Sequence, residues 1–238
     1  KRSMKKLIIL MNKFGAEFSP KNKFNFPLSI SSSNYPIGIS YNSGTSAQLK
    51  SAVILAGLNS YGNTEIVEHL RSRDHTENML KRNKHAIKIR EGISKKIKII
   101  GKQYLDNFSI NVPGDPSSAA FFTALALLKS DSYLEIKNVG LNPKRIGFYK
   151  ILKKHGAKIK FKNIRKKNNE LVGDILIQSC SIKPIRAASN YYASSADEYP
   201  IMFVIAALIP GVSIFKGIGD LANKESSGAH EMKKILNT

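Results

Sequence analysis

The sequence predicts an α/β fold in which apolar helices lie inside and strands lie outside. Segments with helical periodicity alternate with β-rich segments along most of the 238 residues. Three segments share one design and recur roughly every 75 residues, which indicates an internal repeat. The helix of each repeat is apolar on all sides, so we expect all three to be buried. Buried parallel helices covered by sheets fit this alternation.

The three repeated segments occupy residues 43–68, 115–139 and 196–218. Each begins with polar residues, continues through small and apolar residues, and ends in a β-rich stretch. Ser46, Ser117 and Asp197 stand at the three helix starts, where a side-chain oxygen can cap the helix. Several helix starts that converge would also form an anion site. Capping and anion binding therefore both stay open for these residues.

A second shared element supports the repeat. Residues 4–19 and 147–162 each combine an amphipathic helix, a Gly-Ala stop and a strand. Residues 77–90 are a looser copy of the same element.

The composition limits which cellular compartment and which binding partners we expect. A net charge of +21 would favour nucleic acid, anionic lipid or small anions. Much of the excess is Lys in short runs among Ile and Asn, as on solvated faces, and no nucleic-acid module is recognisable. No apolar run reaches the roughly 18 residues of a membrane span, and Cys180 has no partner for an internal disulfide. We expect a cytoplasmic protein without a nucleic-acid or membrane partner.

Simple catalytic motifs are missing from the sequence. There is no phosphate loop, and the GIG at 217–219 lacks the third glycine of a dinucleotide fingerprint. The five histidines show no metal-ligand spacing. We therefore expect neither a metal site nor a cofactor.

Five polar motifs occur in order along the chain: SAQLKSAVILAGL (46–58), SRDHTENML (72–80), VPGDPSSAAF (112–121), DEYPI (197–201) and NKES (223–226). In order and spacing they resemble the 5-enolpyruvylshikimate-3-phosphate synthase family across nearly the whole chain. The resemblance implies a two-domain, inside-out α/β fold of the enolpyruvyl transferase type. Its βαβαββ repeats pack their parallel helices inward, and substrates bind between the domains.

The family's crossover between domains falls just before the Gly-Asp of VPGD, so the predicted domains span 1–112 and 113–238. Family members are nearly twice as long as this chain. Their opening lysine segment, glycine-rich segment and C-terminal basic motifs have no counterpart here. We accordingly expect an internal fragment, monomeric, with little or no turnover on its own.

The resemblance implies transfer of the enolpyruvyl group from phosphoenolpyruvate to the 5-hydroxyl of shikimate 3-phosphate, with release of phosphate. Asp197 matches the carboxylate that accepts the hydroxyl proton, and Glu225 a participant in proton transfer to the enol carbon. Arg2 and Gln48 match residues that bind phosphoenolpyruvate, although Ser3 replaces the family's proline. Shikimate 3-phosphate would contact Ser46, Ala47, Gln48, Arg73, Asp197 and Lys224.

Several of these residues have a plainer interpretation. Arg73 suits a phosphate because its guanidinium is bidentate, but it could also pair with Asp74 or Glu77 on a helix face. Asp115 and Ser117 could simply shape the crossover and cap the next helix.

The pair Asp197 and Glu198 precedes an apolar run, with Pro200 in the tolerated first turn of a helix. We assign both a capping role and the catalytic base to Asp197, and a structural role to Glu198.

One departure concerns phosphoenolpyruvate. Gly228 stands where the family has an arginine that grips this substrate. Lys233 or Lys234 takes over that role, the site is impaired, or the sequence is in error near this position; all three interpretations stay open.

Two rival functions remain. One is the related enolpyruvyl transfer to UDP-N-acetylglucosamine, against which SRDHTE and SAQLKS argue. The other is a noncatalytic basic domain, which would bind nucleic acid with a steep dependence on salt.

Overall fold

The computed structural model describes residues 3–219 and 221, and the chain divides into two compact units, 1–109 and 110–238. This division falls three residues before the predicted boundary. The identity of these units with the two enolpyruvyl transferase domains stays a prediction.

The first unit contains one complete βαβαββ repeat, preceded by the last elements of another. Its elements are α1 (Lys5–Asn12), β1 (Glu17–Ser19), β2 (Ser29–Ser31), β3 (Ser40–Ser43), α2 (Ala47–Asn59), β4 (Asn63–Glu68), α3 (His75–Leu80), β5 (Ile87–Arg90) and β6 (Lys95–Ile100). The repeat begins at β3, and its sheet has the order β3-β4-β6-β5. Strands β3 and β4 are parallel, whereas β6 is antiparallel to both of its neighbours.

The second unit follows the same plan. Its elements are α4 (Pro116–Leu128), β7 (Tyr133–Gly140), α5 (Gly147–Lys154), β8 (Lys158–Lys167), β9 (Glu170–Gln178), β10 (Arg186–Ala187), a 3-10 turn (Ser189–Tyr191), α6 (Tyr192–Ser195), α7 (Tyr199–Leu208) and β11 (Ile214–Phe215). The sheet order β7-β9-β8 matches β4-β6-β5 of the first unit. A single parallel bridge from Gly114 to Val139 replaces the first strand. The parallel pair β10 and β11 on either side of α7 begins a further repeat.

The helix, glycine and strand elements expected from the sequence are confirmed. Helix α1 ends before Gly15 and helix α5 before Gly156, and both glycines have positive φ, at 88° and 96°. Glycine adopts this left-handed conformation without steric cost, so it ends the helix and redirects the chain into β1 or β8. The looser copy forms α3 and β5.

The three repeat helices are buried on one side only. The buried face of α2 comprises Lys50, Val53, Ile54, Gly57 and Leu58, which recur at helical spacing. On α4, the side chains of Phe121, Phe122 and Leu125 are each about 60% exposed, and Leu55 and Leu208 are exposed on α2 and α7. The expected burial on every side is therefore not found. When a helix has no polar face, its sequence does not show which side packs against the rest of its unit.

Each unit has its own apolar core. In unit 1, residues of α2 pack on inward-facing residues of β4 and β6. In unit 2, the core joins α4, α5, α7 and β9, with the α5 residues Phe148, Tyr149 and Leu152 fully buried. Among the residues that the structure describes, no helix combines the length and apolarity needed to cross a membrane.

Candidate functional site

The carboxyl ends of β3 and β4 bring two predicted binding segments together. Ser43 pairs with Glu68 in the parallel register, so the two strands end side by side. The segment after β3 carries Ser46 into α2, and the segment after β4 carries Arg73 towards α3. Ligands of open α/β sheets bind outside the carboxyl ends of the strands. Within unit 1, Ser46, Ala47, Gln48 and Arg73 thus lie at the edge where a ligand is expected.

The start of α2 has the properties of an anion site. Ser46 Oγ accepts a hydrogen bond from the backbone N–H of Leu49 at 3.3 Å, which confirms its capping role. The same hydroxyl lies 3.5 Å from Gln48 Oε1. Ala47 is half-buried and Gln48 is exposed. Because α2 has 13 residues, its dipole places a partial positive charge beside these side chains.

Four buried charged residues lie next to this edge and are here called the Lys–Glu cluster: Lys50, Glu68, Glu77 and Lys95. Lys50 Nζ lies 2.8 Å from Glu68 Oε1 and 2.8 Å from Glu77 Oε1. Lys95 Nζ donates to the same Glu77 oxygen at 3.0 Å. The charges of the four residues cancel, as a buried ionic group requires.

Strand and helix periodicity explains why these charges meet. Thr64, Ile66 and Glu68 share the inward face of β4, and Lys95 stands opposite Glu68 on β6. Lys50 is the residue of the buried face of α2 nearest the helix start. Glu68 is the last inward residue of β4, whereas Lys95 and Lys50 are the first inward residues of β6 and α2. All three lie at the edge of the sheet where β4 ends, and there the inward residues are ionic instead of apolar.

The Lys–Glu cluster fixes α2 and α3 next to each other. The pKa of Glu68 is lowered: burial would raise it, but hydrogen bonds from Lys50 and Ser72 outweigh burial. Ser72 donates to Glu68 Oε1 from its N–H at 2.9 Å and its hydroxyl at 2.7 Å. Ser72 directly precedes Arg73, so the cluster also anchors the backbone that carries Arg73.

Arg73 does not lie on a helix face. It precedes α3 and is half-buried, and the carboxylate of Glu77 pairs with Lys50 and Lys95. The plainer interpretation, a pair of Arg73 with Asp74 or Glu77, stays an alternative. A second link between the two helix starts is the 2.7 Å hydrogen bond between the hydroxyls of Ser51 and Thr76.

In unit 2, Asp115 caps α4, as the plainer interpretation proposed. Its Oδ2 accepts hydrogen bonds from the N–H and the hydroxyl of Ser118, both at 3.0 Å. Burial would raise the pKa of Asp115, but hydrogen bonds from the N–H groups of Ser118 and Ser117 and the charge of Arg145 outweigh burial, so the pKa is lowered. Ser117 is not the cap, which corrects that part of the expectation.

Arg145 lies at the centre of the polar groups around the starts of α4 and α7. Its Nη2 lies 2.6 Å from Asp115 Oδ1 and donates to Ser117 Oγ at 2.8 Å. Its Nη1 lies 3.5 Å from Asp197 Oδ2. One guanidinium thus joins the first turn of α4 to the turn that precedes α7.

Asp197 does not cap α7, contrary to our expectation. The residue before the first turn of α7 is Glu198, and no side chain caps this helix. Asp197 lies one residue earlier, in the turn between α6 and α7, with its side chain 39% exposed. Since Pro200 occupies the first turn and has no N–H, fewer donors need a cap there. The carboxylate of Asp197 is thus accessible to a ligand while it contacts Arg145.

Glu198 is buried, and Ser117 Oγ donates a hydrogen bond to its Oε1. Below it, the hydroxyl of Tyr149 donates to the carbonyl of Pro116 at 2.7 Å, and burial raises the pKa of Tyr149. These contacts join α4, α5 and the start of α7 inside the unit.

Three predicted site residues lie outside the described residues: Arg2, Lys224 and Glu225. The same holds for the open question at Gly228. Their roles stay predictions.

A surface cavity of about 600 Å³ lies beside α1 and residues 15–24. None of the predicted site residues that the structure describes lines this cavity.

Sequence reasoning missed Arg145 and the Lys–Glu cluster. Lys50 carried a signal, since it is a charge within a helix that is otherwise small and apolar. Arg145 carried a weaker one, as the last charge before the amphipathic helix α5. The partners of both come from distant segments, which a single sequence does not pair.

The fold defines the class of protein. The chain is similar to the enolpyruvyl transferase NikO from Streptomyces tendae, with a TM-score of 0.63 over 87% of this chain and 49% of that chain. Sequence identity is 14%, so this likeness concerns the fold alone. The similarity to the EPSP synthase from Acinetobacter baumannii is greater, with a TM-score of 0.81 and 34% identity over 98% of this chain and 52% of that chain. The chain thus has the enolpyruvyl transferase fold.

The sequence identifies the family within this class. The family model for EPSP synthase (3-phosphoshikimate 1-carboxyvinyltransferase) matches residues 1–238, and the chain belongs to this family. The 3-phosphoshikimate 1-carboxyvinyltransferase of Paramagnetospirillum magneticum is 37% identical over 99% of this chain and 53% of the relative. That of Aquifex aeolicus is 40% identical over 94% of this chain and 53% of the relative. The chain spans about half the length of the curated relatives it matches.

Proposed function

We propose that this chain takes part in the transfer of the enolpyruvyl group from phosphoenolpyruvate to the 5-hydroxyl of shikimate 3-phosphate, with release of phosphate. Turnover is expected of a longer protein that contains these 238 residues, because the curated relatives are about twice as long. The two anionic substrates as its partners, a monomeric state and the cytoplasm as its compartment belong to the same proposal.

One observation carries the proposal. Ser46, Ala47 and Gln48 follow β3, and Arg73 follows β4, at the carboxyl ends of two neighbouring parallel strands, which suits the binding of one phosphorylated substrate. The start of α2 offers a partial positive charge, and the guanidinium of Arg73 can bind two phosphate oxygens at once. Family membership supports the assignment of shikimate 3-phosphate as that substrate.

The chemistry of the proposed reaction is divided among few groups. Asp197 would accept the proton of the 5-hydroxyl as oxygen attacks the enolpyruvyl carbon, and Glu225 would take part in proton transfer to the enol carbon. Inorganic phosphate then leaves as its C–O bond breaks, and the methyl group formed at the enol carbon gives up a proton, which restores the double bond of the enolpyruvyl group. Arg2 and Gln48 would hold phosphoenolpyruvate, and Lys224 would contact shikimate 3-phosphate.

Removal of the Arg73 charge tests the proposal by direct binding. We expect Arg73→Gln to weaken binding of shikimate 3-phosphate by roughly tenfold to a hundredfold, since a charge-assisted contact contributes about 1.5 to 3 kcal/mol. Isothermal titration calorimetry with shikimate 3-phosphate measures this change.

Arg71 provides a matched control. It lies two residues away, where its Nη2 donates to the carbonyl of Gly92 at 2.9 Å and pairs with Glu91 at 3.2 Å. We expect Arg71→Gln to leave binding within about twofold of the original chain. Equal losses of affinity from both substitutions would show a nonspecific charge effect. The same titration with UDP-N-acetylglucosamine tests the rival function, and preferential binding of the UDP-sugar would replace the proposal.

A further inference from the structure

We infer that Arg145 is a positioning residue for the carboxylate of Asp197. This inference rests on the proposed function, because it assumes that Asp197 is the proton acceptor. Neither the shared motifs nor the apolar repeat singled Arg145 out.

The backbone around Arg145 is held in a fixed turn. The N–H of Arg145 donates to the carbonyl of Asn142 at 2.8 Å, and the N–H of Lys144 donates to Asn142 Oδ1 at 2.9 Å. The Asn142 side chain in turn donates to Glu170 Oε2 on β9 at 3.0 Å. Because Asn142 is buried, the turn is attached to the sheet of unit 2.

Helix α5 begins immediately after this turn and approaches α6 closely. A Cβ built on Gly147 would lie 2.2 Å from Ser194 Oγ and 2.9 Å from the carbonyl carbon and oxygen of Ser194. Only glycine fits this contact, which brings the turn with Arg145 next to the α6 segment that leads to Asp197.

The guanidinium has a fixed orientation. Its side chain is 14% exposed, and Nη2 is held at 2.6 Å from Asp115 Oδ1 and 2.8 Å from Ser117 Oγ. Because the guanidinium is planar, the position of Nη2 restricts that of Nη1. Nη1 is therefore presented to Asp197 Oδ2, at 3.5 Å.

This arrangement orients Asp197 through a contact that a substrate does not need to displace. Asp197 lies in the turn before α7, one residue ahead of the N-cap residue Glu198. Attraction to Nη1 restrains one carboxylate oxygen, and the 39% exposed side chain keeps access to a hydroxyl. A base that is already oriented does not have to be ordered during the reaction.

A double-mutant cycle tests whether Arg145 acts through Asp197. The full-length protein that carries this sequence is assayed for phosphate release with both substrates, as the wild type, Arg145→Gln, Asp197→Asn and the double variant. We expect Arg145→Gln to lower kcat about tenfold or more in the wild-type background and to change it less than about twofold beside Asp197→Asn. Arg145→Lys replaces Arg145→Gln in the cycle if the latter does not fold.

Arg165→Gln is the matched control, because Arg165 lies on β8 of the same unit and donates to Asn138 Oδ1 on β7 at 2.8 Å. It should leave kcat unchanged. Equal losses from Arg145→Gln in both backgrounds, or no loss in the wild-type background, would overturn the inference. A wild-type protein that releases no phosphate would instead refute the proposed function, so the two failures are distinguishable.

Discussion

Lys50 differs from most of the 38 basic residues of the chain because its side chain is fully buried. Its Nζ lies 2.8 Å from the carboxylate of Glu68, at the end of β4, and 2.8 Å from that of Glu77, in α3. Such a residue contributes no charge to the surface. Its function is to hold together the elements that carry Ser46 and Arg73.

Removal of the Lys50 charge should therefore destabilise the chain. Lys50→Met leaves Glu68 and Glu77 buried with Lys95 as their remaining cation in the cluster, and loss of one partner of a buried pair costs about 3 to 5 kcal/mol. Urea unfolding followed by circular dichroism measures the change, since the chain has no Trp.

Lys96, which follows Lys95 on β6, is exposed and serves as the control. Lys96→Met should change the free energy of unfolding by less than about 0.5 kcal/mol. A Lys50→Met chain as stable as the Lys96→Met chain would mean that the buried cluster does not support this edge.

At the level of single residues, the sequence predicted helix caps better than ion pairs. The cap at Ser46 and the cap at Asp115 follow from local spacing, and both form. The cap at Asp197 does not form, because α7 begins one residue later than the pattern indicated. The partners of Arg145 lie 28 to 52 residues away along the chain. Such contacts form only in the tertiary fold, and local patterns in a single sequence do not show which distant residues will meet.

Among the helices, α5 best illustrates how an element positions a site. Its apolar face packs in the core of unit 2, and its start carries the turn with Arg145. The contact of Gly147 with Ser194 fixes this start against α6. The position of α5 therefore determines where the guanidinium of Arg145 lies.

A methyl group at Gly147 should disturb this contact. We expect Gly147→Ala to lower the free energy of unfolding by about 1 to 3 kcal/mol, as overpacking does, because the new Cβ meets backbone atoms of Ser194 at 2.9 Å. Thermal unfolding measures the effect.

Gly114 of the same unit offers the control, because a Cβ there would be 3.5 Å from its nearest contact, the carbonyl oxygen of Asn138. Gly114→Ala should unfold at nearly the temperature of the original chain. The packing interpretation fails if the two alanine variants are equally stable.

The sequence predicted the type and order of most elements, because apolar periodicity and the Gly-Ala stops are local signals. It did not predict that the first strand of the second repeat is reduced to the bridge between Gly114 and Val139. Strand length there depends on the pairing with β7. Nor did it predict the exposed sides of α2, α4 and α7, since an evenly apolar helix carries no information on its orientation.

For the molecule as a whole, the net charge of +21 is partly explained by solvated sheet faces. On the outer face of the first sheet, Lys88 lies opposite Lys98 and Arg90 lies opposite Lys96. Like charges in such cross-strand pairs repel each other, so this face is not optimised for stability. The positive field of the chain also attracts small anions, in agreement with the two proposed substrates.

The central claim concerns the reaction, and phosphate release tests it most directly. The full-length protein that carries this sequence is incubated with phosphoenolpyruvate and either shikimate 3-phosphate or UDP-N-acetylglucosamine, and inorganic phosphate and the enolpyruvyl product are measured. We expect equal amounts of phosphate and enolpyruvyl product with shikimate 3-phosphate, none with the UDP-sugar, and a loss of at least about a hundredfold in kcat for Asp197→Asn. Product formation with the UDP-sugar alone, or no phosphate release with shikimate 3-phosphate, would contradict the account.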